Sequence, residues 1–323
     1  MPKLRPIIGH EAQREALAQD IAQGNVAHAY LFSGPEHLGK MSLALSFARD
    51  LLSVDADEGE RKRILNRIEK LTHPDLLVLD QLWIEEVCED WGFIAQSSNV
   101  PQVERSKKPA AKTDTISIDD IRAIHSLLYG KASGRYRVCI IRSIERMQDA
   151  AATSFLKILE EPPERLVFLL TTENSGSLLP TIVSRSRVVD FRRLPTRELR
   201  QLLAGIDEDD ARFILHLAHG APGIAALLRD DPDLLRKHRM IHGTAQAFWQ
   251  SKTLLERMKM LSPLHERGEE SDVMLLHLGL TLRERMLHTS AEHVRAFAEL
   301  ASGLESNAHR QLLCQSFAME VSA

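Results

Sequence analysis

Ala27-His28-Ala29-Tyr30-Leu31-Phe32-Ser33-Gly34-Pro35-Glu36-His37-Leu38-Gly39-Lys40-Met41-Ser42 reads as a strand, a tight loop and the start of a helix. The compact apolar run ends at Ser33-Gly34-Pro35, and from Met41 to Leu52 apolar positions recur at helical spacing through Leu45, Ala48 and Leu52. Gly34 to Lys40 fits the first seven positions of the P-loop pattern, in the strand-to-helix context that pattern requires. Backbone N–H groups of such a loop and the positive helix start point at phosphate oxygens, and Lys40 would reach the outer ones. Gly34, Gly39 and Lys40 are therefore the candidate phosphate-binding residues. The eighth position should offer magnesium a hydroxyl, yet it is Met41, whose thioether is a poor ligand for a hard cation. Ser42 comes one residue late, turned by about 100° around the helix.

Outward from this loop, a short helix is expected from Glu11 to Gly24, and further strands at Leu76 to Leu79 and Arg137 to Ile141. A helix from Asp149 to Glu161 carries Ala152, Phe155, Leu156 and Leu159 on one face, Pro162-Pro163 stops it, and Leu166 to Leu170 is the next strand. Strands alternating with helices imply a parallel α/β sheet. After Leu194-Pro195 every segment reads as helix or loop, so a domain boundary is expected near residue 190. Gln81 to Thr115 is irregular and holds a basic run, Glu104 to Lys112, which reads as a solvated linker loop.

In P-loop ATPases a second apolar strand ends in an acidic residue that holds magnesium. Here Val138-Cys139-Ile140-Ile141 runs into Arg142-Ser143, which places a cation where a divalent metal should bind. Glu145, three residues on, reads as surface charge. No metal site is expected. A net charge of −4, with 44% hydrophobic and 27% charged residues, is the balance of a globular protein and argues against a chain that binds nucleic acid through a dominant basic surface of its own. Cys88, Cys139 and Cys314 are too scattered for a disulfide framework or a zinc knuckle. The N-terminus Met1 to Pro6 lacks the apolar core of a signal peptide, and no stretch reaches the roughly 18 apolar residues of a membrane span. A cytoplasmic protein without membrane partners is expected.

Several blocks now stand in order: His28 to Pro35, His73-Pro74-Asp75, Ile116 to Arg122, and above all Leu156-Lys157-Ile158-Leu159-Glu160-Glu161-Pro162-Pro163. Thr171-Thr172-Glu173 and Ser184-Arg185-Ser186 follow. Together they resemble the AAA+ clamp-loader family of gamma and delta prime type, over about the first 230 residues. The resemblance implies an α/β AAA+ P-loop domain with a parallel sheet (1–190), a small helical lid domain (191–234) and an all-α C-terminal collar domain (235–323) that assembles the subunits. It makes Thr172 a sensor 1-like residue. It also makes Arg185, the arginine of a Ser-Arg-Cys motif with Ser186 in place of Cys, a finger that acts in trans on the ATP site of an adjacent subunit. Gly223 stands where motor subunits carry a sensor 2 arginine, and Ser53 to Thr72 has no cysteine for the family's zinc module, so no zinc is implied.

The function this resemblance implies is a non-motor, delta prime-like subunit of the DNA polymerase III clamp loader. It would work with gamma/tau-type motor subunits and a delta-type subunit to load the sliding clamp on primed DNA, without ATP hydrolysis of its own. ATP binding without turnover stays open. Two alternatives stand beside this reading: an ATP-hydrolysing gamma-like motor subunit, and a clamp-independent AAA+ adaptor.

Overall fold

The computed structural model describes residues 7–69, 72–79, 115–130, 132–285 and 291–321. Cys88, the 81–115 loop save its last residue, and Met1 to Pro6 lie outside them. The chain divides into two compact units, residues 1–226 and 227–323.

The first unit opens with α1 (Glu11–Gln23), β1 (Ala29–Ser33), α2 (Lys40–Leu52), α3 (Glu58–Glu69) and β2 (Leu76–Leu79). Then come α4 (Ile118–Leu128), β3 (Arg137–Ile141), α5 (Asp149–Glu160), β4 (Leu166–Thr172), α6 (Pro180–Ser184) and β5 (Arg187–Asp190). The five strands form one parallel sheet in the order β2-β3-β4-β1-β5. This is the α/β class expected from the alternation of elements. Successive side chains leave a strand on opposite faces, and the core divides accordingly. Tyr30, Phe32, Val138, Ile140 and Leu169 pack with Leu43, Phe47 and Leu51 of α2. Leu31, Cys139, Ile141, Phe168 and Leu170 pack on the other face with Ile121 and Ile124 of α4 and Phe155 and Ile158 of α5. Four strands are buried throughout, whereas β5, at the edge, is largely exposed.

Asp75 pins the approach to β3. Only 1% exposed, it accepts hydrogen bonds from the Ser133 and Gly134 amides, each at 3.1 Å, and from the Ser133 hydroxyl, and pairs with buried Arg137 at 3.2 Å. Arg137 in turn donates to the carbonyls of Leu128 and Gly130, which ties the end of α4 to the same point.

The helices α7 (Thr196–Leu202), α8 (Glu208–Ala218) and α9 (Pro222–Asp230) follow the sheet. The second unit contains α10 (Pro232–Gln250), α11 (Leu254–Met260), α12 (Glu269–Glu284), α13 (Ala291–Glu305) and α14 (Arg310–Glu320), around a core with Phe248, Trp249, Leu278 and Phe317. The Trp249 indole N–H donates to Thr281 Oγ1 at 3.0 Å, so this large ring is buried without stranding its donor. Between α10 and α12 runs a row of imidazoles: His238 Nδ1 meets His277 Nε2 at 2.9 Å, and His277 Nδ1 meets His242 Nδ1 at 3.1 Å. Among the described residues no helix is long and apolar enough to cross a membrane.

Burial holds His10, His73 and His238 below the ordinary imidazole value of 6.5. Such groups stay neutral in the fold, while the unfolded chain takes up protons as pH drops below 6.5. Their contribution is complete above that pH and is lost as pH falls through the depressed values. The melting temperature should therefore be flat from about pH 7.5 to 8.5 and fall on acidification toward pH 5.5, with ~2–4 °C lost per ~1 kcal/mol. Calorimetry across that range checks the sign, and a midpoint that rises toward pH 5.5 would contradict it.

Candidate functional site

The loop after β1 lies at the carboxyl end of the sheet, where open α/β sheets place their ligands. It is built by close backbone fits. Gly34 has φ 148°, its N–H donates to Thr172 O at 3.2 Å, and a Cβ there would stand 2.4 Å from Phe191 O. His37 (φ 58°) and Gly39 (φ 89°) are left-handed and turn the chain into α2. The strand, tight loop and helix expected from the sequence are thus present, and they bring Gly34, Gly39, Lys40 and Thr172 to one place.

The chemistry inside that shape is different. Lys40 Nζ donates to the loop's own carbonyls, Gly34 O and, at 2.7 Å, Pro35 O. Burial lowers its pKa, opposed by the charges of Glu173, Glu145 and Glu36 and reinforced by Arg142. Burial, a hydrogen bond shared with Glu36 and the charge of Glu145 raise the Glu173 carboxyl above its ordinary 4.5. Glu145 Oε1 also accepts the Glu173 amide N–H at 3.1 Å. It is half-buried beside the lysine rather than the surface charge its sequence position suggests. Two of the three ammonium donors of Lys40 are thus spent on the loop's own carbonyls, and Glu36, Glu145 and Glu173 add negative potential around it. Like charges that close disfavour a further anion.

The remaining positions agree. Met41 packs against the core of the first unit. Ser143, beyond the end of β3, is left-handed (φ 51°), and its N–H donates to Thr171 Oγ1 at 2.9 Å. The Thr172 hydroxyl is engaged in its own turn, 3.3 Å from both Asn174 N and Asn174 O. Gly223 N donates to His37 O at 2.8 Å, and a Cβ at Gly223 would lie 2.8 Å from that same oxygen. A side chain there has no room without moving the loop. Among the described residues no group of three or more His, Cys, Asp or Glu is arranged to hold a metal ion. A cavity of about 510 Å³ lies beside α1, lined by His10, Arg192, Arg193 and Arg197 among others, with no residue from 34 to 40 in its wall.

Arg185 stands apart from this cluster. It is the C-cap of α6, and the hydroxyls of its neighbours Ser184 and Ser186 bond back to Thr181 O and Ile182 O. Its guanidinium donates to Thr181 O at 3.2 Å and pairs with Glu160 at 2.9 Å.

Residues 9–195 match the family described as DNA polymerase III, delta subunit. The chain belongs to that family. Its relatives include the DNA polymerase III subunit gamma/tau of Mycobacterium tuberculosis, 32% identical over 222 residues, which are 66% of this chain and 34% of the relative. The tau subunit of Escherichia coli is 27% identical over 231 residues, 71% of this chain and 31% of tau. The delta' subunit of Bacillus subtilis is 28% identical over 221 residues, 67% of this chain and 58% of delta'. The chain thus spans about a third of the length of the gamma/tau relatives it matches. The clamp-loader family read from the motif blocks, of gamma/tau and delta' type, is the one these matches support. Glu36 belongs to the loop itself, whereas Glu145 and Glu173 were not singled out as its neighbours from sequence, because only the register of β3, β4 and β1 brings positions so far apart together.

Proposed function

We propose that the chain is a non-motor, delta prime-like subunit of the DNA polymerase III clamp loader. It joins gamma/tau-type motor subunits and a delta-type subunit, and the assembly places the sliding clamp on primed DNA. In this reading Arg185 completes the ATP site of the adjacent motor subunit, where a guanidinium offsets charge developing on the transferred phosphoryl group. One observation carries it: Lys40 is bonded to its own loop's carbonyls, with Arg142 where a metal ligand should be, while Arg185 sits half-buried at a helix end. The loop, lid contact and sheet then serve as the frame that presents Arg185.

Identity does not separate this reading from the gamma-like motor one, at 32% and 27% to gamma/tau and tau relatives and 28% to delta'; the site chemistry favours the non-motor reading. Purified chain with ATP and magnesium separates the two. No turnover above background is expected, and none that depends on Lys40. Hydrolysis abolished by Lys40→Ala would establish the motor reading instead. Copurification with gamma/tau-type subunits is expected as well, and its failure would favour a clamp-independent adaptor.

A further inference from the structure

We propose that Glu160 is the positioning residue for Arg185, holding the guanidinium in the pose in which it meets the neighbouring subunit's nucleotide. This rests on the trans role given to Arg185 above. Glu160 is the last residue of α5, the helix stopped by Pro162-Pro163, and its Oε1 lies 2.9 Å from Arg185 Nη2. The other terminal nitrogen, Nη1, donates to Thr181 O at 3.2 Å. Both ends of the fork are therefore anchored, one on each of two helices. Those helices share a core, since Ile182 of α6 is buried in the same cluster as Phe155, Ile158 and Leu159 of α5. The distance between the two anchors is accordingly fixed by packing and not by loop conformation.

The pair is open to its surroundings, with 35% of the Arg185 side chain and 50% of the Glu160 side chain exposed. An ion pair this exposed adds little to stability, because water screens it. What it changes is freedom. An arginine at a helix end samples many rotamers, and catalysis by a group held in advance is faster than by one that must be ordered at the moment of reaction. A guanidinium carries five N–H donors; with one spent on Glu160 and one on Thr181, the rest stay available to phosphate oxygens.

The test uses the reconstituted complex with clamp and primed DNA, and the chain alone. In the complex, Glu160→Ala should lower kcat for ATP hydrolysis about tenfold with KM for ATP unchanged. Glu160→Gln, whose amide oxygen still accepts from Nη2, should recover most of the loss. The double variant Glu160→Ala/Arg185→Ala should be no slower than Arg185→Ala by itself. On the isolated chain, the Arg185 Nε–H resonance should be dispersed in wild type and Glu160→Gln and collapse toward the random-coil position in Glu160→Ala, with the melting temperature unmoved. A normal kcat for Glu160→Ala beside a depressed one for Arg185→Ala overturns the positioning role and leaves the trans arginine standing. A raised kcat overturns it too, by making Glu160 a restraint. No effect of Arg185→Ala removes the underlying reading itself and this proposal with it.

Discussion

Arg185→Ala is expected to slow ATP hydrolysis by the reconstituted assembly about 10³-fold, while the variant chain folds and assembles normally. The asymmetry comes from where the charge acts. In the free chain the arginine makes one exposed ion pair and one bond to a carbonyl, a combination that water and salt reduce to ~1 kcal/mol or less. In the proposed trans role the same guanidinium would face the concentrated negative charge of a transferring phosphoryl group, and a 10³-fold effect corresponds to about 4 kcal/mol of transition-state stabilisation. Arg185→Lys should fall between, because an ammonium keeps the charge but not the planar fork. The measurement is phosphate release at saturating ATP with clamp and primed DNA. Wild-type rates from Arg185→Ala would remove the arginine from the mechanism.

The second large effect is on stability. Asp75→Ala should cost about 3–5 kcal/mol, a substantial part of the ~5–15 kcal/mol that holds a typical domain together. The carboxylate is enclosed, and its removal takes the counter-charge from buried Arg137 and the acceptor from two backbone amides and a hydroxyl at Ser133 and Gly134. Burial alone would raise the Asp75 pKa, but the hydrogen bonds from Ser133 and Arg137 prevail and hold it below the ordinary 3.8. Its contribution is therefore present above that value and is lost as pH falls through the lowered one. Asp75→Asn keeps the shape without the charge and should lose less. Urea unfolding followed by tryptophan-independent circular dichroism checks both variants, and a loss below about 1 kcal/mol for Asp75→Ala would mean that water replaces the carboxylate.

Short apolar runs bounded by breakers were legible: Leu76–Leu79 and Arg137–Ile141 are strands at the bounds read from sequence, since both of their faces are buried and their residues are correspondingly uniform. Strand β5 was not legible. At the sheet edge, Arg187-Val188-Val189-Asp190 has little apolar character to display. Helix α3 was missed because only Ile64 and Ile68 of its residues are buried. The loop from Gly34 to Lys40 could be read because its signal is local. The approach of Glu145 and Glu173 to Lys40 and the hold of Glu160 on Arg185 could not, because each joins residues whose proximity is a product of tertiary packing.

The fit of Gly34 against Phe191 bears on how freely such a loop can change in sequence. A side chain at position 34 would collide with the main chain leading out of β5, so drift is barred there by architecture whether or not a nucleotide is ever held. At Gly39 an added Cβ would meet nothing within 4 Å, and only the left-handed backbone resists replacement. Retention of the first glycine is thus required by packing alone, and it carries no information about whether a nucleotide is held, whereas the second is constrained only by its backbone conformation.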